Sequence, residues 1–183
     1  MDQDSGARVA IDDPYDFLEL DETTRRLMLE ELDLDIAQNE HPYLGKTLTD
    51  QGRADYVALL RQAMLEGDEA SLVIALSSAG RVNVVPVDAA RRLGRTEFNR
   101  YYMRAICVRA AEHDATTVVA YRAHDSKEPR KESDRLIRIG EHSAPRILAI
   151  LRAATGGDAE SGVGQPNSGL SLRCGCSSCL AVT

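Results

Sequence analysis

The sequence predicts an α+β fold: a mostly helical single domain with a small β-sheet and a flexible C-terminal tail. Three observations lead there. Apolar residues recur at helical spacing, most clearly at Tyr56, Leu59, Leu60, Ala63 and Met64. The window TTVVAYRA at 116–123 is instead β-branched and bounded by turn residues. From residue 156 the composition shifts to Gly and Ser, as in linkers. With 183 residues, 43% of them apolar, the chain can bury one core of ordinary size. Two Phe, six Tyr and no Trp leave that core to Leu, Val, Ile and Ala.

Residues 1–14 are small and acidic and read as a mobile N-terminus. Asp21 caps a helix running to about residue 35, with Leu27, Leu29, Leu32, Leu34 and Ile36 as apolar positions. The connector NEHPYLGKTLTDQG leads into a second helix from Thr49, closed by Gly67. DEASLVIALSS reads as a third helix capped by Asp68, with a strand as the rival. GRVNVVPV at 80–87 is β-like, with Pro86 confining it to an edge or an end. Asp88 then caps a short helix that Gly94 stops, and Thr96 caps a longer one through His113. The 116–123 strand and a charged loop follow, then a short helix or turn at DRLIRIG. Ser143 caps a last helix with Pro145 in its first turn. The domain is expected to span 15–155, with 156–183 as linker and Cys-containing tail.

Charge is unevenly spread. Residues 1–70 hold 18 acidic and 6 basic side chains, whereas 91–131 hold 10 basic and 5 acidic, within a net charge of −7. Either the two regions pair inside the fold, or they form separate faces suited to self-association or to an acidic partner. Residues 91–109 concentrate six arginines. Arg91, Arg92, Arg95, Arg100 and Arg104 are the candidate anion or partner contacts, because guanidinium forks bind carboxylates and phosphates in bidentate fashion. The alternative is a core helix whose arginines, Arg109 included, pair with the acidic first third. A nucleic-acid backbone contact is not favoured, given the net charge and the lack of stacking aromatics.

No catalytic signature stands out. His41, His113, His124 and His142 show no metal spacing, and a triad from His124, Asp125 and Ser126 would be ordinary coincidence. GGDAESGVG lacks the Lys-Ser/Thr of a phosphate loop, and the acidic runs lack an EF-hand glycine. Cys107 reads as a small buried hydrophobe. Cys174, Cys176 and Cys179 lie close together in CGCSSCLAVT, and their thiolates could take zinc or Cu(I), with Cys107 or an outside group as a fourth ligand. The same stretch could exchange thiols, or serve as a Cys/Ser-rich precursor peptide that is modified. The acidic N-terminus lacks a signal-peptide core, and the longest apolar run, LVIAL, is far too short to span a bilayer, so a cytoplasmic location without membrane contact is expected.

Two stretches carry a resemblance. EFNRYYMRAIC at 97–107, followed by a strand and a charged loop, and PNSGLSLR at 166–173 resemble segments of a chiefly actinobacterial protein family with no established activity; TTRRLMLEELDLDI fits the same pattern. The resemblance implies an intact single domain to which CGCSSCLAVT is an addition. Together these readings lead to the expectation of a non-catalytic interaction or structural protein of a bacterial or phage-like assembly, with a protein partner or a second copy of itself. Metal or thiol handling by the tail is the main alternative.

Overall fold

A computed structural model describes residues 14–39, 42–77, 81–82, 86–125, 130–153, 162–166 and 168–176. Its elements run in the order α1 (Glu22–Asn39), α2 (Asp50–Glu66), α3 (Glu69–Ser77), α4 (Pro86–Glu112), β1 (Thr117–Arg122), α5 (Lys131–Ile139), β2 (Glu141–Ser143), α6 (Ala144–Ala153) and β3 (Leu170–Cys174). The fold is α+β and mostly helical, with one antiparallel sheet in the order β2-β1-β3. Of the expected mobile N-terminus, residues 1–14, all but Pro14 lie outside the described ones.

Local chemistry accounts for the first helices. Asp21 Oδ1 accepts the Thr24 amide at 2.9 Å and Thr49 Oγ1 accepts the Gly52 amide at 3.0 Å. Gly67 closes α2 with φ 70°, its N–H directed to the last carbonyls of the helix. α3 is a helix, not the rival strand, and Asp68 caps it through the Ala70 amide at 2.8 Å. Of the β-like stretch at 80–87, residues 80 and 83–85 lie outside the described ones, Val82 forms an isolated bridge to Leu48, and Pro86 opens α4.

α4 is one continuous helix where two were expected. Gly94 does not stop it, because α3 crosses there: a Cβ at Gly94 would meet Val73 Cγ2 at 3.0 Å. The glycine permits a close helix–helix approach. Every residue from 97 to 107, the EFNRYYMRAIC stretch, is buried. α1, α3, α6 and β3 all pack around this helix.

The expected linker and tail, 156–183, is corrected at residues 170–174, while 156–161, 167 and 177–183 lie outside the described residues. Leu170–Cys174 is a strand of the sheet, paired with β1 from Val118↔Cys174 to Arg122↔Leu170. Leu170, Leu172 and Cys174 are fully buried. Asn99 on α4 fastens this strand: its Nδ2 donates to Leu170 O at 2.8 Å, and its Oδ1 accepts from Ser171 Oγ at 2.7 Å. The glycines here serve close packing. Gly169 has φ 63°, and a Cβ on it would fall 2.1 Å from His124 O; Gly162 has φ 72°, with Glu132 Cβ 2.7 Å away.

Candidate functional site

Four of the six arginines in 91–109 are buried, and three of those four pair with the acidic first third. Arg95 Nε meets Glu69 at 2.9 Å. Arg104 is 1% exposed and nearly saturated: Nε to Glu31 at 2.8 Å, and Nη1 and Nη2 to Asp35 at 2.7 and 2.8 Å. Arg152 of α6 closes on the same Glu31. Arg109 Nη1 meets Asp21 at 2.6 Å and Thr24 Oγ1 at 2.9 Å. Burial acts to raise the Asp35 pKa, but hydrogen bonds from Arg104 and Tyr101 outweigh it and hold the carboxyl below its usual range. Of the expected anion contacts, Arg95, Arg100 and Arg104 thus lie inside the fold and not on an open face, and Arg95 and Arg104 are already engaged by Glu69, Glu31 and Asp35. Arg91, half-buried and 3.6 Å from Asp88, and the exposed Arg92 remain at the surface.

Arg100 differs from its neighbour one turn on. It is 3% exposed, and its Nη1 stands 3.4 Å from Glu97 Oε2 without hydrogen-bond geometry. Its Nε and Nη2 have no hydrogen-bond partner, and the guanidinium lies 5.7 Å over the Tyr43 ring. Tyr56 Oη, also buried, has no partner either. Glu97 is 1% exposed. Burial pushes its carboxyl up to about 7; Arg100 opposes the shift and Asp35 adds to it. A buried acid and a buried guanidinium with unused hydrogen-bonding capacity thus sit side by side on α4.

Two cavities flank this pair, and Tyr43 borders both. The first, about 410 Å³, is walled by Tyr43, Lys46, Ala89, Arg92, Thr96 and Glu97 among others. The second, about 480 Å³, takes Arg53, Arg100, Arg104, Arg152 and Asp35 into its wall. Residues 42–47, which are irregular, and the helix α4 contribute to both, and α1, α2 and α6 complete the wall of the second.

The cysteines are divided. Cys174 is fully buried on β3, and its amide donates to the Glu19 carboxylate at 3.0 Å. Its sulfur lies 3.0 Å from that of the half-buried Cys176. Cys174 therefore belongs to the core and not to an appended tail, whereas Cys179 lies outside the described residues. Among the described residues no group of three His, Cys, Asp or Glu is arranged to hold a metal. Cys107 is 2% exposed and burial pushes its thiol up to about 12, far from a nucleophile. His124 stacks on Tyr15, and Ser126 lies outside the described residues.

Sequence reasoning singled out Arg100 and Arg92 but missed Lys46 and Tyr43, and it treated Tyr56 only as an apolar residue. One signal was present: Glu97 and Arg100 are charged residues in a helix segment otherwise fit for a core. No protein-family model matches the chain, and neither the curated proteins nor the solved structures give a match. Among the described residues no helix is long and apolar enough to cross a membrane.

Proposed function

We propose that this protein binds a small molecule in the cavity between residues 43–47 and the first half of α4. The observation that carries this reading is Glu97, a buried carboxyl with an oxygen that accepts no hydrogen bond, set in the wall of a cavity of about 410 Å³. That volume falls within the range of small-molecule sites, roughly 300–1,000 Å³. A carboxyl with a pKa of about 7 can donate or accept a hydrogen bond near neutrality. Lys46 and Arg92 offer positive charge to an anionic group of the ligand, with Asp88 as the opposing carboxylate in the lining, and Thr96 adds a hydroxyl at the same wall.

The proposal departs from the association reading for a physical reason. That reading drew on charge separation, and three of the basic residues in question, Arg95, Arg104 and Arg109, pair with the acidic first third within the fold. A thermal-shift screen against carboxylate- and phosphate-bearing metabolites tests the binding proposal. Ala89 lines the cavity and is only partly buried, so Ala89→Phe fills the space without entering the core. A ligand that stabilises the wild type is expected to lose its effect on this variant. Ligands that stabilise both proteins equally would refute the site.

A further inference from the structure

The geometry points to a second binding site, for the oxyanion of a carboxylate or phosphate group, in the cavity on the other side of Tyr43. Its recognition element is the Nε–Nη2 edge of Arg100. This inference goes beyond the proposed function and concerns a different cavity.

The argument rests on a contrast within one helix. Arg104 and Arg100 lie one turn apart on α4, and both border this cavity. Arg104 spends its Nε, Nη1 and Nη2 on Glu31 and Asp35. Arg100 engages only Nη1, with Glu97, and leaves Nε and Nη2 without acceptors. Those two atoms form the side of the guanidinium that takes two oxygens of one carboxylate or phosphate in parallel bonds. A buried donor without an acceptor is destabilising, so the fold carries an unfilled demand at this point. Tyr43 covers the face of the guanidinium, and a cation–π contact leaves the in-plane N–H groups available.

The surroundings suit an anion. Arg53, exposed near the start of α2, and Arg152 border the same space. Asp35 is the one carboxylate among the described lining residues, and Arg104 and Tyr101 already engage it. The cavity, about 480 Å³, admits an anionic group with part of a larger molecule attached. Arg100 Nε and Nη2 are shielded from solvent, so the anion enters by a small movement of the wall. That wall includes Tyr43 and Leu44, from irregular chain and not from a helix.

The test reads the side-chain Nε–Hε resonance of Arg100, correlated to its own backbone, during titration with inorganic phosphate and separately with acetate. Sodium chloride at matched ionic strength is the control. Phosphate, acetate or both are expected to shift this resonance saturably, and the stronger of the two identifies the class. Arg53→Gln, at an exposed position, is expected to weaken the titration about tenfold. Arg100→Lys keeps the charge but loses the fork, and is expected to abolish protection against thermal unfolding by the same anion. Ala89→Phe, in the first cavity, is expected to leave the shift intact, so failure of the proposed function and failure of this site are told apart. An Arg100 resonance that neither anion moves, or that chloride moves equally, would overturn the inference. Undiminished binding by Arg53→Gln would do the same.

Discussion

Glu97 sets the clearest expectation at the scale of a single residue. Its carboxyl has a pKa of about 7 in the fold against an ordinary value of 4.5. Between those values the folded chain holds a proton that the unfolded chain has released. Its contribution to stability is thus fully present below about pH 4.5 and is lost as pH rises through about 7. Glu97→Gln keeps the neutral shape and removes the titration. The stability difference between variant and wild type is expected to move in the variant's favour by roughly 1–3 kcal/mol between about pH 5 and about pH 8. Urea unfolding at the two pH values measures it, and subtraction cancels the histidines and the other acids. An unchanged difference would show that Glu97 stays ionised throughout. At this scale the sequence displayed the pairing of opposite charges but not its partners. Nothing in the spacing tells Arg104, saturated by Glu31 and Asp35, from Arg100, whose fork is unfilled. That distinction arises from α1 lying beside one turn of α4 and loop beside the other.

At the scale of elements, stripes and caps made α1, α2, α3 and β1 readable, because their signals are local. The two errors concern glycine. Gly94 reads as a stop and the glycines after 156 as linker, whereas Gly94, Gly162 and Gly169 mark places where another segment comes close. The strand signal was present in LSLRC, with Leu170, Leu172 and Cys174 at every second position. Burial of both faces, with Ser171 held by Asn99, hid it in polar composition. Gly169 and Gly140 allow the cause to be measured. Both have positive φ, 63° and 81°, a region that disfavours alanine at either position. Only at Gly169 would the new Cβ strike backbone, His124 O at 2.1 Å, while nothing lies within 4 Å of Gly140. The Gly169 carbonyl also accepts from Ala123 N at 2.8 Å, so the strand cannot retreat without breaking the β1–β3 ladder. Gly169→Ala is therefore expected to lose at least about 2 kcal/mol more than Gly140→Ala in urea unfolding. Equal losses would mean that backbone strain, and not the close approach, fixes glycine there.

The whole molecule is organised around α4, and the order of the chain conceals this. Helices from the first third, α6 and the last strand meet on one helix, and part of the charge asymmetry along the sequence is internal pairing, through Arg95, Arg104 and Arg109. It follows that residues 162–176 are part of the cooperative unit and not an appendage. A chain ending at residue 155 would lose Leu170 and Leu172, each contributing about 1.5–3 kcal/mol by burial. It would also strip the β1 edge of its partner strand and leave Asn99 without Leu170 O and Ser171 Oγ. Against a net stability of about 5–15 kcal/mol for an ordinary domain, these losses suffice to unfold it. The truncated chain is expected to show a collapsed amide NMR spectrum and no cooperative thermal transition. A chain ending at Cys176 keeps all of β3, together with the Cys174 amide bound to Glu19, and is expected to retain both. A dispersed spectrum from the chain ending at 155 would show that the third strand is dispensable. In that event the buried face of α4 would have to be covered by α1, α3 and α6 alone.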